Sequence, residues 1–363
     1  MDFSLTADQD ELAGLCRKIL DDQATPERLK ELEGGDEWID RRTWAELGAA
    51  GLLGIALPEE HGGGGLGFLE LAIVCEEVGR HVAPVPIVAS LVGGALAIAE
   101  YGTDEQRSGW LPGAATGDAI LTIALQEPQA DPRRPTVEAL ADDTRWVLAG
   151  TKHVVPVLHL AGQMVVSATD GTRSGLYLVD PQHATVAAER SIATDGQPVF
   201  TVTFGETPAE RLGDGGDLEW LLQRVTAALC VMQAGVSEQA LRMTADYVSQ
   251  REQFDHPLAA FQAVSQRSAD AYIDAEAVRL TAWQAAWRLS EGLPAADEVA
   301  IAKFWAADGG HRVAQAALHL HGGIGVDVDY PIHRYFWWTK MIELTLGGPT
   351  AQLRALGASL ADA

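Results

Sequence analysis

The residues best suited to chemistry form two short segments in the last third of the chain. They are Arg251, Phe254, Gln262, His319, Gly322 and Gly323. The guanidinium of an arginine is a fixed fork of donors that suits an anion, and glycines allow a ligand to approach the backbone closely. Simpler interpretations stay open, because Arg251 and Glu252 can pair at a helix end and a glycine pair can be an ordinary turn. His319 and His321 match no metal-binding spacing, so we expect no metal.

The spacing of apolar residues divides the chain into a helical, a strand-like and a second helical part. Short apolar runs bounded by Gly, Asp and Pro predict strands from residue 119, and long helical patterns return from Leu218. This order predicts an α+β protein. We expect three domains: an N-terminal α-helical domain at 1–118, a middle β domain at 119–213 and a C-terminal α-helical bundle at 214–363.

Two possible capping boxes mark helix starts in the N-terminal part of the chain. Thr6 with Gln9 is the first, and Thr43 with Glu46 is the second. The glycines at 62–65 lack the Lys-Ser/Thr of a phosphate loop, so we interpret them as a turn.

Composition narrows the classes of partner. The formal net charge of −25 argues against nucleic acid and against an anionic membrane. No apolar run approaches the roughly 18 residues of a membrane span, and the first residues do not resemble a secretion signal. Cys16, Cys75 and Cys230 are isolated in apolar contexts. We therefore expect a reduced protein located in the cytoplasm.

Several motifs, taken in order, resemble those of the acyl-CoA dehydrogenase family. Arg251 to Phe254 followed by Phe261-Gln262 is similar to the pattern R-x-x-F-G-x-x-L-x-x-F-Q. The segment 319–325 followed by 330–336 is similar to Q-x-x-G-G-x-G with a later P-[VI]-x-R, and 47–65 resembles a first-domain motif. The resemblance implies the fold of that family, with a middle β-barrel-like domain and a C-terminal four-helix bundle that carries the FAD and oligomer interface.

The resemblance also assigns roles to the six residues. Members of the family bind FAD across a dimer interface, where one subunit holds the isoalloxazine ring and its neighbour contacts the ADP half. On this basis the cofactor-binding residues are the six named above, with His319 at the place of the family's Gln. An aromatic such as Phe254 can cover the flavin edge.

The catalytic carboxylate of the family is missing. That Glu removes a proton from the α carbon of the substrate and occupies one of two positions. Gly348 stands at the first position, and Val225 stands at the second when the long helix is counted back from Arg251 without gaps. We therefore predict no catalytic residue in this chain. Glu343 and Glu219 lie nearest in sequence, but neither offset preserves the direction of a side chain on a helix.

The middle part also departs from the family pattern. Residues 126–131 replace a segment whose small and hydroxyl residues contact flavin, and Pro156 replaces a Thr that hydrogen bonds the flavin ring. Proline offers neither a hydroxyl nor an N–H. Ordinary divergence within an active enzyme is one explanation. The alternative is that this subunit has lost the groups for its own flavin ring and kept those that it lends to a neighbour.

This pattern resembles the non-catalytic subunit of actinobacterial α₂β₂ acyl-CoA dehydrogenases that act on steroid (cholesterol) side chains. The leading hypothesis is a subunit that shares FAD with a catalytic partner, which binds most of the acyl-CoA. A second hypothesis is a self-sufficient homotetramer with a relocated base. A third is a purely structural scaffold that does not contact FAD.

Overall fold

The computed structural model describes residues 4–33, 35, 37–142, 145–214 and 217–362. Contacts within the chain divide it into two compact units. The first unit is made of Met1–Gly34, Ala72–Ala83 and Thr226–Ala363, and the second of Gly35–Leu71 and Pro84–Val225. The domain boundaries predicted from the sequence separate helical from strand-forming parts of the chain, whereas these units are defined by contacts, so the predicted boundaries stay predictions.

Helices form the N-terminal part, as predicted. They are α1 (Ala7–Gln23), α2 (Pro26–Glu33), α3 (Arg41–Ala49), α4 (Phe68–Arg80), a π-helical segment (Val88–Ala95), α5 (Leu96–Tyr101) and α6 (Asp104–Thr116). The Thr6–Gln9 capping box is confirmed at the start of α1. The second predicted box is wrong, because Asp40 caps α3 by accepting from the Arg42 backbone N–H, and the Thr43 hydroxyl donates to the same carboxylate.

The glycine run after α3 is a turn, as predicted. Gly62 has φ +82 and ends a short 3-10 helix. The backbone N–H of Gly63 donates to Pro58, and that of Gly65 donates to Leu57. A Cβ added at Gly63 would lie 2.1 Å from the Leu57 carbonyl oxygen, so close backbone packing requires glycine there.

The middle part is one seven-stranded sheet. Its strands are β1 (Leu121–Ala124), β2 (Glu138–Asp142), β3 (Arg145–Pro156), β4 (Gln163–Thr169), β5 (Ser174–Val179), β6 (Val186–Ile192) and β7 (Pro198–Arg211). The order is β1-β4-β2-β3-β7-β5, with β6 beside β7, and β4 also pairs with β5. That last pairing closes a circuit of strands, which makes the sheet barrel-like. Leu148, Val166, Tyr177 and Val202 fill its core.

One buried ion pair lies inside the sheet. Lys152 is fully buried, and its Nζ lies 2.6 Å from Glu127 Oε1 and donates to Ser167 Oγ at 2.8 Å. The other Glu127 oxygen accepts from the Thr136 backbone and hydroxyl, so every charge here has a partner. Burial alone would raise the pKa of Glu127. The hydrogen bonds from Lys152 and Thr136 outweigh that effect and keep the pKa of Glu127 below its usual value.

Long helices form the C-terminal part. They are α7 (Leu218–Gln250), α8 (Gln262–Ser290), α9 (Ala296–His321), α10 (Ile332–Leu344) and α11 (Pro349–Asp362). The buried Lys303 of α9 donates to the carbonyl oxygens of Ile342 and Glu343 and so satisfies the end of α10. The helical domain is thus present, and α11 adds a fifth helix to the predicted four. None of the helices in the described ranges is long and apolar enough to cross a membrane.

Candidate functional site

Arg251 lies directly after the end of α7. Its backbone N–H donates to the Tyr247 carbonyl, and its own carbonyl accepts from the Leu258 N–H, so the backbone is fixed on both sides. The Arg251 side chain is exposed and forms no ion pair with Glu252 or with any other residue that the structure describes. The simpler interpretation as a helix-end ion pair therefore does not hold, and the guanidinium is free to bind an outside anion.

Phe254 is presented on the tip of a small hairpin. The strands β8 (Glu252–Gln253) and β9 (His256–Pro257) pair around it, and Phe254 and Asp255 have φ +55 and +64. Two left-handed residues in succession are typical of a tight type I′ turn. Phe254 is 84% exposed and makes an edge-to-face contact with Phe261, at 6.3 Å between ring centroids. The hairpin thus holds a large apolar ring out in solvent.

Gln262 and His319 are both exposed at helix ends. Gln262 is the first residue of α8, which begins without a side-chain cap. His319 lies in the last turn of α9, immediately before the glycine turn. Both side chains can donate and accept hydrogen bonds, so both can reach a polar ligand at the surface.

The paired glycines form an open turn. Gly322 has φ +66 and ψ −140, a conformation that essentially only glycine adopts. A Cβ added at Gly322 or Gly323 would meet nothing within 4 Å. Packing within the chain therefore does not require glycine at position 323. The open space is what a ligand that approaches the backbone closely would use.

A stack of aromatic rings joins α7 to the glycine turn. Tyr247, one helical turn before Arg251, stacks on His321 with 4.5 Å between ring centroids, and its hydroxyl donates to the His321 carbonyl at 3.4 Å. Tyr330 packs against both rings. His321 Nδ1 lies 2.8 Å from the Ala317 carbonyl, and burial lowers the pKa of His321 below its usual value. The two predicted segments are held together by Tyr247, His321 and Tyr330, none of which was predicted to have this role.

Neither expected position for the catalytic Glu carries a carboxylate. Gly348 directly precedes α11, and its carbonyl accepts from the Gln352 N–H. An added Cβ at Gly348 would meet only the Glu343 carbonyl oxygen at 3.8 Å, an ordinary contact. Val225 is 2% exposed and belongs to the apolar core around α7.

The two neighbouring carboxylates are engaged elsewhere. Glu343 Oε2 lies 2.7 Å from Lys340 Nζ and 3.2 Å from His311 Nδ1. Glu219 lies 3.3 Å from Arg133 and accepts from Gln223. Both carboxylates are thus held by neighbouring side chains, and these contacts disfavour a relocated base, which must reach the proton that it removes.

The altered middle segments use their polar groups internally. Gln126 forms an isolated bridge to His153, and Gln129 adopts φ +57. The Asp131 carboxylate accepts from the Arg133 backbone N–H. Pro156 ends β3, and its carbonyl accepts from the Thr122 hydroxyl. The Pro156 ring offers no donor where the sequence pattern of the family expects a Thr.

Two family descriptions match the chain. Residues 6–118 match the acyl-CoA dehydrogenase N-terminal domain, and residues 218–361 match the acyl-CoA dehydrogenase C-terminal domain. Together they cover most of the chain and flank the sheet.

Relatives and solved structures agree with these matches over nearly the full length. The acyl-CoA dehydrogenase FadE27 of Mycobacterium tuberculosis is 40% identical over 100% of this chain and 99% of its own. A variant of the Tcur3481-Tcur3483 steroid ACAD is 46% identical with a TM-score of 0.94, and 98% of each chain is covered. The ChsE4-ChsE5 complex of Mycobacterium tuberculosis is 40% identical with a TM-score of 0.95, and 100% of each chain is covered. These likenesses confirm the predicted three-part fold.

Proposed function

This chain belongs to the acyl-CoA dehydrogenase family, and on that premise we propose that it is a non-catalytic subunit of an FAD-dependent enzyme. A second, related subunit supplies the catalytic carboxylate. The observation that carries the proposal is the absence of a carboxylate at both Gly348 and Val225. FAD, when bound, supplies the acceptor for the hydride that leaves the β carbon of the acyl group. A base is still needed for the α proton, and this chain offers none at either position.

The groups that remain suit the ADP half of FAD. Arg251 is exposed and free of internal partners, so its fork of donors is available to the pyrophosphate. The open turn at Gly322 and Gly323 leaves room for a nucleotide against the backbone. Phe254 can cover the flavin edge, while Gln262 and His319 can hydrogen bond polar groups of the cofactor. The flavin ring would lie in the partner subunit.

The proposed assembly is an α₂β₂ heterotetramer located in the cytoplasm. Two of the similar structures are described as a steroid ACAD and as a complex of two differently named chains. We therefore propose that the substrate is the CoA thioester of a steroid side chain, and that the partner subunit binds most of it. The net charge of −25 does not suit nucleic acid or an anionic membrane.

The stoichiometry of bound flavin tests this assignment. The chain should be co-expressed with a neighbouring acyl-CoA dehydrogenase gene, and the mass and FAD content of the purified complex should be measured. Shared sites predict one FAD for every two chains and no dehydrogenation by this chain alone. One FAD for every chain, or robust activity of the isolated chain, would support the self-sufficient homotetramer instead.

The substitution Arg251→Ala separates flavin binding from a purely structural role. Losing one charged bidentate contact in a closed interface costs about 2–5 kcal/mol, so FAD should bind the complex about 30-fold to several thousandfold more weakly. The fold should be unaffected because the Arg251 side chain has no partner in the described residues. Arg173→Ala, in an exposed turn after β4, is the matched control. If the complex keeps its yellow colour unchanged, the scaffold interpretation stands.

A further inference from the structure

A polar cleft of about 420 Å³ lies within the first unit. It is lined by parts of α1, α7 and α10 and by the residues at the end of α4. None of the six proposed flavin contacts lines it. Four arginines do: Arg17, Arg80, Arg242 and Arg334. The chain has a net charge of −25, so four guanidinium groups around one cleft are a local exception, and their donors are of the kind that binds anions.

Two of the arginines form ion pairs with one shared carboxylate, that of Glu77. Arg17 donates to Glu77 through Nε at 3.1 Å and Nη2 at 2.7 Å. Arg80 contacts the same Glu77 at 3.3 Å and Glu238 at 2.7 Å. Glu77 is only 2% exposed, so it anchors both guanidinium groups from the protein interior.

The third fixed arginine is Arg334. It is 5% exposed and donates through Nε and Nη2 to Glu33. For both Arg17 and Arg334, Nη1 has no acidic partner in the part of the chain that the structure describes. These arginines are therefore held rigidly and still have donors to offer, which is the arrangement that lowers the entropic cost of binding an anion.

Arg242 differs from the other three. It is exposed on α7 and has no hydrogen bond or ion pair from its side chain to any described residue. The remaining charged groups of the lining are already paired, since Asp21 Oδ1 lies 3.0 Å from His81 Nε2 and Glu238 contacts Arg80. Arg242 therefore brings a guanidinium that has no ion-pair partner among the described residues.

The electrostatic surroundings of Tyr335 reflect the same arginines. The Tyr335 hydroxyl donates to the Arg80 carbonyl at 3.0 Å at the wall of the cleft. Burial raises the pKa of Tyr335, and the positive charges of Arg334, Arg242 and Arg80 all act against that rise. Three guanidinium groups thus act on one buried hydroxyl. Apolar faces of Leu29 and Met243 complete the lining, which suits a ligand that has an anionic end and a carbon body.

We propose that this cleft binds a small phosphate ester, with Arg17, Arg80 and Arg334 as a fixed donor frame and Arg242 as the charge that completes it. Phosphate oxygens match the forked donors of arginine, and the volume lies within the range of small-ligand sites. The site does not depend on the proposed role in flavin binding.

The test is calorimetric titration of the purified protein, in the assembly in which it is isolated, with AMP and with inorganic phosphate at matched ionic strength. AMP should bind, and Arg242→Gln should weaken it by about tenfold or more, since a hydrogen bond to a charged group is lost. Arg173→Gln, which removes an equal charge from an exposed turn of the second unit and does not line the cleft, should leave the affinity unchanged. Comparing AMP with inorganic phosphate decides whether the ester's carbon body adds affinity, and binding of either at the cleft supports the site.

Two results would overturn the proposal. One is no heat of binding with either probe at millimolar concentrations. The other is equal weakening by Arg242→Gln and Arg173→Gln, which would mean a diffuse charge effect. A rise in the melting temperature with AMP, absent in Arg242→Gln, gives a second measure, and circular dichroism of the variants confirms that they are folded.

Discussion

Restoring a carboxylate at Gly348 distinguishes the loss of one residue from the loss of a whole half-site. The substitution Gly348→Glu places a Glu where the family carries a base. In the structure the new Cβ would meet only the Glu343 carbonyl oxygen at 3.8 Å, and the backbone there is not left-handed. We therefore expect the protein to fold with the new side chain in place.

The expected change in stability is small. Replacing a glycine whose backbone is compatible gains about 0.4–1 kcal/mol by restricting the unfolded chain. A negative charge at the start of α11 stabilises the helix by about 0.3–1 kcal/mol. Two costs oppose these gains: the new side chain is half-buried, and the glycine before the helix is lost. The free energy of unfolding should stay within about 1 kcal/mol of the parent. Gly347→Glu is the control: its φ is +97 and its Cβ would lie 3.1 Å from that of Ala351, so it should lose about 1–3 kcal/mol.

Two assays read the result. Denaturant unfolding measures stability, and acyl-CoA-dependent reduction of a dye measures dehydrogenation by the chain alone. We expect a stable Gly348→Glu protein without activity, because Pro156 and the 126–131 segment still lack flavin-ring contacts. Equal destabilisation by the two glycine variants would refute the geometry at Gly348. Dehydrogenation by the isolated Gly348→Glu chain would refute the loss of the flavin-ring half-site and would leave the carboxylate as the one missing group.

Three further outcomes are expected. Lys152→Met leaves the buried Glu127 without its cation and should lower the free energy of unfolding by about 3–5 kcal/mol, measured with denaturant. Adding Glu127→Gln should recover part of this loss. A loss below about 1 kcal/mol in the single variant would contradict the buried pair. Burial raises the pKa of Glu76 from 4.5 to about 7. The free energy of unfolding should therefore fall by up to about 3 kcal/mol as pH rises through that window, where only the folded form holds the proton. Glu76→Gln should remove this slope, and unfolding at pH values below and above the window checks it. Glu343→Gln should leave the activity of the complex unchanged, since Glu343 is paired with Lys340; a loss of activity with an intact assembly would favour the relocated base.

The order of helices and strands could be predicted because apolar spacing is a local signal. A strand and a helix escaped it for the same reason. Strand β6 is exposed along nearly its whole length, so it shows no alternation of apolar and polar residues. Helix α6 contains Pro112 and has glycines at 109 and 113, which weaken a helical pattern although Thr103 and Gln106 cap it well.

The helix start at α3 shows a second limit. Thr43 and Glu46 have the types and spacing of a capping box, but Asp40 competes for the same role and caps the helix three residues earlier. Both choices fit the local sequence. Only the path of the backbone decides between them.

The residues of the candidate site could be predicted one motif at a time. The contacts that hold the motifs together could not be predicted in this way. Tyr247 and His321 are separated by 74 positions, and nothing in either motif states that the rings stack. The cleft is a stronger case, because Arg17 and Arg334 come from opposite ends of the chain. Contacts of this kind depend on tertiary packing, which a single sequence without aligned relatives does not reveal.

The stack of Tyr247, His321 and Tyr330 also bears on how tightly a cofactor can be held. Ordering a flexible backbone costs about 1–2 kcal/mol for each residue, and a site that forms only on binding loses that amount from its affinity. Here the end of α7 and the glycine turn are already fixed to each other within a single chain. This part of the proposed half-site is therefore preorganised, so the entropic cost of bringing the end of α7 and the glycine turn together is met when the chain folds.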